Sequence, residues 1–383
     1  MHTIAHSPGS STMSVTFIVD EPDPGTEVVL DIDFLLHPAW PDLDHLVLRP
    51  TGEETSTRSL TIELPSDLEV TYRYLRRPHP NRTPSTRDAS LDSLRALCAT
   101  GLPDPDVHDR IQNPFGSEVA SSVLKGPDAS AGHPVWTRQG PRTALDESRL
   151  RTSDGRTTTI IHAGDPGITE LVVVLDGDVW TDSLDIRSAL ERWNRPTTAF
   201  ALVSTPDREK LADRRFMSAM IAEEVLPAVE SHLGVGVGSK VTIVGHSYSG
   251  LAAASLAHDR PDRFGTAIIG SGSFWFRESH DARDDTDPGD LTSSLRAAPK
   301  TLLTGSRLLL HVGREEGGMV EQSRMFADAA ASAGAEVDLS LYPGGHDYAW
   351  YRHALFDALD ALSPSQTNGF DAGSRDHLDR PEC

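Results

Sequence analysis

The chain is short of cysteine, of positive charge and of long apolar runs, and each shortage excludes something. Two cysteines in 383 residues, Cys98 and Cys383, cannot build a disulfide framework, and they stand too far apart for a Cys-x-x-Cys metal site. Lysine and arginine total 35 against 57 aspartates and glutamates, a net charge of −22. So acidic a chain lacks the basic face that nucleic acid or an anionic membrane needs, and neither is expected as a partner. An anionic small molecule is still admissible, because a local cluster of arginine is enough to bind one. No stretch approaches the ~18 apolar residues of a membrane-spanning helix. Residues 1–14, rich in His, Ser and Gly, hold no apolar segment of a signal peptide, so the expected location is cytoplasmic. There is no His-Glu-x-x-His, phosphate-binding loop or dinucleotide fingerprint in the context each requires, so no metal and no other cofactor is expected.

What is present reads as two folded regions. Over 14–80 apolar residues recur at every second place: Val15, Phe17 and Val19; Val28, Leu30, Ile32 and Phe34; Leu60, Ile62 and Leu64; Val70, Tyr72 and Tyr74. Period two between Pro, Gly and Asp clusters predicts short antiparallel strands and a small all-β sandwich domain. Residues 81–155 are dominated by Pro, Ser, Asp and Arg. Only Ala89–Thr100 looks helical, so the segment is expected to be a linker packed on the surface. From 156 to 362 short apolar runs alternate with helical stretches. Strands are predicted at Thr158–Ala163, Leu171–Leu175, Ala199–Val203, Val241–Val244, Ala267–Ile269, Leu308–Val312 and Val337–Leu341. Helices are predicted at Leu184–Trp193, Arg214–Leu233, Gly250–Asp259, Val320–Ala333 and Asp347–Leu362. Continuous apolar strands between helices predict an α/β fold with a mostly parallel central sheet. Residues 363–383 are polar and expected to be a disordered tail.

The sharpest chemical signal is Gly245-His-Ser247-Tyr-Ser249-Gly250. It lies where an apolar strand gives way to a helix, the setting of a nucleophile elbow that lifts a serine hydroxyl above a sheet. Ser249 stands where the usual pattern has glycine. A serine nucleophile needs a base, and Gly344-Gly-His346-Asp347 follows the last predicted strand, in the chain order Ser, acid, His. The acid that orients the histidine should follow the preceding strand. Gly313-Arg-Glu315-Glu316 offers two carboxylates there; Glu316, three residues past Gly313, is preferred, with Glu315 the alternative. The oxyanion should be held by the N–H of Tyr248, the residue after the nucleophile, and by the N–H of Asp178 in the loop Asp176-Gly-Asp-Val-Trp180.

Together these pieces resemble the enterochelin (enterobactin) esterases. The likeness is carried by Leu175-Asp-Gly-Asp-Val-Trp180, Glu224-Val-Leu-Pro227, the elbow, Pro261-Asp-Arg-Phe264, Ser271-Gly-Ser-Phe-Trp275, Gly313-Arg-Glu-Glu316 and Gly344-Gly-His-Asp347. More loosely, Leu64-Pro-Ser-Asp-Leu68, Tyr72-Arg-Tyr74 and Asn113-Pro114 match upstream, so that it spans about 14–360. The resemblance implies an α/β-hydrolase domain behind a small β-sandwich. It also implies a substrate, a ferric catecholate siderophore whose ester (lactone) bonds are hydrolysed to release iron.

Such a substrate is bulky, aromatic and anionic, so its site should offer aromatic faces and arginine. Trp180, Arg208, Trp275 and Arg352 are the candidate substrate-binding residues. Arg73, Arg76 and Arg77, with Arg82 and Arg87, form a basic run expected to lend positive charge. Two other readings stay open: a broader carboxylesterase or acyltransferase on the same fold, and a siderophore-binding protein with weak turnover.

Overall fold

A computed structural model describes residues 1–35, 43–52, 55–78, 96–112, 120–137, 142–164, 167–205, 207–235, 241–279 and 287–362. The expected tail 363–383, Arg82 and Arg87, Asn113-Pro114, and the stretch Ala89–Thr100 up to residue 95 lie outside the described residues. The chain forms two compact units, Met1–Gly132 with Pro343–Trp350, and His133–Tyr342 with Tyr351–Cys383.

In the first unit eight strands pair antiparallel: β1 (His2–Ala5), β2 (Thr12–Asp20), β3 (Thr26–Ile32), β4 (Val47–Pro50), β5 (Thr57–Pro65), β6 (Glu69–Pro78), β7 (Arg110–Gln112) and β8 (Ala120–Lys125). Their order is β1-β2-β5-β4-β3-β6-β8-β7. The sheet folds back at β4, whose Val47 and Leu48 pair with β3 while Arg49 and Pro50 pair with β5. Phe17 of β2 and Tyr72 of β6 then meet edge-on with ring centroids 5.0 Å apart, although three strands separate them in the sheet. Val15, Phe17, Leu30, Ile32, Val70, Tyr72 and Tyr74, all picked out by the period of two, are buried in this core. Removing each from water stabilises the unit by about 1.5–3 kcal/mol.

The sequence pattern misses four strands here. β1 lies ahead of the expected domain, β4 falls between two of the alternating runs, and β7 and β8 lie in the expected linker. Arg110-Ile-Gln112 and Ala120-Ser-Ser-Val-Leu-Lys125 are too short and too polar to show alternation. It also underestimates β3 and β6, which bury side chains on both faces, including the ion pair of Asp31 and Arg73 at 2.6 Å.

The second unit holds β9 (Leu145–Arg151), β10 (Thr157–Ala163), β11 (Glu170–Leu175), β12 (Thr198–Val203), β13 (Val241–His246), β14 (Thr266–Gly270), β15 (Arg307–Gly313) and β16 (Glu336–Tyr342), in the order β16-β15-β14-β13-β11-β12-β10-β9. Pairing is parallel from β16 through to β12 and antiparallel on both sides of β10, so the sheet is mixed. Counted from β9 the order is 1-2-4-3-5-6-7-8, and the second strand alone runs against the others. The helices are α1 (Ile186–Trp193), a run α2 (214–233), α3 (Tyr248–Asp259), α4 (Asp290–Ala297), α5 (Gly318–Ser332) and α6 (Tyr348–Leu362). Strands β11 to β15 are sequestered on both faces, which is why they read as unbroken apolar runs. α4 escapes the sequence pattern because few of its side chains are apolar; only Leu291, Thr292 and Leu295 are buried.

Candidate active site

One residue, Ser247, separates the end of β13 from the start of α3, and its backbone is held at φ 63°, ψ −122°. A residue with a side chain resists such angles by about 1–3 kcal/mol, and keeps them only where its surroundings dictate them. Here they do. Ser247 N donates to Gly270 O at 2.9 Å, and Ser247 O accepts from Leu251 N at 3.0 Å and Ser273 N at 3.1 Å. A Cβ at Gly245 would run into the Ser249 carbonyl, so only glycine lets the strand turn this tightly. Ser249, the departure from the usual pattern, is buried. Its hydroxyl accepts from His246 N at 2.8 Å and donates to His246 O at 2.7 Å, stapling the turn from within. Beneath it the Tyr351 hydroxyl donates to Gly245 O at 3.0 Å. Burial pushes the Tyr351 pKa up, which keeps that donor protonated. Ser247 therefore stands at the N-terminus of α3, where the partial positive charge favours a developing oxyanion.

Strain recurs along this end of the sheet. Asp176 after β11 (φ 55°) and Ser271 after β14 (φ 44°) also adopt left-handed angles, and their strands flank β13. The carboxyl ends of parallel strands are where open α/β sheets bind ligands. Ser271 N donates to His311 O at 2.7 Å, and its hydroxyl donates to Glu316 Oε1 at 2.5 Å. The same carboxylate oxygen accepts from Gly313 N at 2.6 Å. Glu316 is thus fixed to the ends of β14 and β15 by two charge-assisted bonds. Glu315 instead meets its neighbour Arg314 at 3.3 Å. Of the two candidate acids, only Glu316 is tied into the row that carries Ser247.

Asp178 heads the helical turn Val179–Ser183. Its loop is held by Asp176, whose carboxylate accepts the Thr205 hydroxyl and bonds Arg208 Nη1 at 2.7 Å. A Cβ at Gly177 would run into the backbone of Leu202 and Val203. Burial raises the Asp178 carboxyl above its ordinary pKa, and Oδ1 accepts from Thr205 N at 3.4 Å.

The expected binding residues separate. Trp275 is half-buried and meets the Tyr248 ring edge-on at 5.7 Å, which brings an aromatic face to the turn at Ser247. Trp180 is 1% exposed and packs on Tyr351 in the core. Arg208, part-exposed, binds the buried Asp176 carboxylate through its guanidinium and so holds the loop. The described contacts of Arg352 lie along the last helix and near residue 136, with Nε 3.3 Å from His353 Nε2 and its carbonyl accepting from Trp136 Nε1 at 2.9 Å. The described arginines of the basic run are paired inside the first unit: Arg73 with Asp31, Arg76 with Glu21 at 2.8 Å and Arg77 with Glu27 at 2.9 Å.

His346 follows β16 by four residues, in the segment Pro343–Trp350 that packs as part of the first unit. Pro343 O accepts from Glu69 N at 2.9 Å, and Asp33 Oδ2 accepts the His346 backbone N–H. Asp347 Oδ2 accepts from Thr71 N at 2.7 Å and its hydroxyl at 3.2 Å, while Oδ1 caps α6 at Ala349 N, 2.6 Å away. Burial lifts the Asp347 carboxyl to about 6, against those bonds. A pocket of about 120 Å³ opens beside His346, with Asp33, Thr71, Arg73 and Gln112 in its wall. Sequence reasoning missed Asp33, Ser271 and Tyr351 as supports. Asp347 carried a usable signal, an N-cap aspartate two residues before the N–H it binds; the others had none. Among the described residues no cluster of His, Cys, Asp and Glu is placed to hold a metal ion, and no helix is long and apolar enough to cross a membrane.

Comparison with known proteins adds a family. The Esterase family, described as "Putative esterase", matches residues 167–362. The chain is 28% identical over 331 residues to the iron(III) salmochelin esterase of Escherichia coli O6:H1, covering 81% of this chain and 78% of that one. It is 30% identical over 273 residues to the iron(III) enterobactin esterase of Dickeya dadantii, covering 64% of this chain and 62% of that one. The crystal structure of ferric enterobactin esterase from Salmonella typhimurium matches with a TM-score of 0.78 at 19% identity, over 94% of this chain and 95% of that one. That likeness is one of fold: a β-rich N-terminal unit and an α/β-hydrolase-like unit.

Proposed function

We propose, from the premise that the chain belongs to the Esterase family, that it is a serine esterase cleaving the ester (lactone) bonds of a ferric catecholate siderophore of the enterobactin type. The observation that carries this reading is Ser247, a strained serine between a central strand and a helix N-terminus. The substrate class is supported by relatives named as esterases of iron(III) salmochelin and iron(III) enterobactin.

In the proposed reaction His346 takes the proton of Ser247 as Oγ attacks an ester carbonyl. The N–H groups of Tyr248 and Asp178 stabilise the tetrahedral oxyanion. As the C–O bond breaks, His346 returns the proton to the departing seryl oxygen. Water, activated by the same imidazole, then frees the acyl group from Ser247. Glu316 holds the imidazole in its working tautomer and stabilises its cation. Trp275 offers a face to a catechol ring. Iron enters as part of the substrate. The cytoplasm is the proposed location.

The test is turnover by wild type and Ser247→Ala of ferric enterobactin, iron-free enterobactin and a nitrophenyl acyl ester. Trilactone cleavage lost in Ser247→Ala is the expected result. Cleavage of the small ester alone would make the protein a general esterase, and tight binding without turnover a siderophore carrier.

A further inference from the structure

The segment that carries His346 is bonded to β-strand and loop residues far upstream in sequence. Asp33 takes the His346 backbone N–H, and the Asp347 carboxylate ties Thr71 on β6 to the first turn of α6 at Ala349. Glu69 N binds Pro343 O just before the two glycines. The glycines allow close approach: a Cβ at Gly344 would stand 2.8 Å from Glu69 O, and one at Gly345 would run into the Asp33 carboxylate. The Trp350 indole N–H reaches back to Gly345 O at 2.7 Å and closes the segment on itself. These backbone contacts of the segment that carries His346 are answered by residues 33–71 or by the segment itself.

We infer that Asp33 and Asp347 are positioning residues for the reaction: strand and loop residues of the β-rich N-terminal unit are the mount of the catalytic histidine. The inference rests on His346 being the base. The chemistry is one of placement. A histidine that passes a proton to and from a serine needs its nitrogen within hydrogen-bond reach, and an error near 1 Å can cost about 10²-fold in rate. Asp33 accepts one backbone N–H at His346, a duty an asparagine oxygen can perform and an alanine cannot. Asp347 accepts two N–H groups on separate oxygens, so Asp347→Asn, whose second atom is itself a donor, breaks one of the two.

The experiment uses the full chain and measures two quantities, the active sites titrated with a fluorophosphonate and kcat per titrated site. Asp33→Ala and Asp347→Asn are expected to keep most of the titre and KM while kcat per site falls about 10- to 100-fold. Asp33→Asn should recover to within a few-fold of wild type. Lower titre with unchanged kcat per site would make both aspartates merely structural, and unchanged values in both would also overturn the inference. Should Asp347→Asn fail to fold, Asp33→Ala against Asp33→Asn decides alone. His346→Gln separates the two levels: if it turns over normally, the reading of His346 as base has failed; if it is inactive while the aspartate variants are normal, only the mounting has failed.

Discussion

The two units hold their demanding features in different currencies. In the first, charge is taken inside and matched: Asp31 with Arg73, Glu21 with Arg76, Glu27 with Arg77, and a buried Asp104 bonded by Tyr72 at 2.6 Å. Among the described residues, none of its non-glycine residues takes a positive φ. In the second unit all five such residues occur. Two, Asp185 and Asn194, flank α1, and three, Asp176, Ser247 and Ser271, end the neighbouring strands β11, β13 and β14. Matched charge fixes a scaffold without leaving a reactive group. Backbone strain at strand ends is kept only where many bonds enforce it, and here it falls on the turn that presents the serine.

The largest effect that would break this contrast is at the strained serine. Ser247→Ala should lower kcat by about 10⁶-fold in a trilactone assay, with the fold intact by circular dichroism. Ser247→Gly should be equally inactive yet more stable by about 1 kcal/mol in urea unfolding, since glycine accepts φ 63° without strain. Equal or lower stability would show that the turn is not strained. Next, Glu316→Gln should cost about 10²–10⁴ in kcat, while Glu315→Gln stays near wild type. The matched charges answer differently: Arg73→Ala strands a buried Asp31 and should cost about 3–5 kcal/mol of stability in denaturant titration. Arg76→Ala, whose guanidinium is partly exposed, should cost about 1 kcal/mol or less.

Much of the second unit was legible in the sequence because a parallel sheet buried on both faces writes itself as apolar runs. Its predicted strands fall within β10 to β16 with ends shifted by a residue or two. Ser247 was legible because small residues and a strand-to-helix change are local signals. What stayed hidden is long-range. Nothing near residue 33 announces that its carboxylate will meet residue 346, and no local pattern links Ser271 to Glu316. The surroundings of Trp180 and Arg208 stayed hidden for the same reason: a tryptophan or arginine beside such a loop looks identical in sequence whether it faces a ligand or a buried partner.

The two tryptophans give a further test. Trp180→Ala should cost about 3–5 kcal/mol of stability as a core cavity. Trp275→Ala should leave the fold intact and raise KM about tenfold, near 1.4 kcal/mol. A reversed pattern would return Trp180 to the binding set. A further effect is expected in pH. The folded Asp347 carboxyl titrates near 6 against 3.8 for an ordinary aspartate, and Glu69 adds to the rise. The unfolded chain releases that proton first, so wild type should lose stability relative to Asp347→Asn as pH rises from about 4 to about 6. The loss should reach about 2–3 kcal/mol in parallel urea titrations. A constant difference across that range would show that Asp347 is ionised throughout.

The proposed proton transfer from Ser247 to His346 is tested most directly by a crystal structure of the enzyme with a phosphonate bonded to Ser247 Oγ. An imidazole nitrogen of His346 within about 3.2 Å of that oxygen is the expected result. Full phosphonylation of Ser247 with His346 beyond the reach of one bridging water would contradict it.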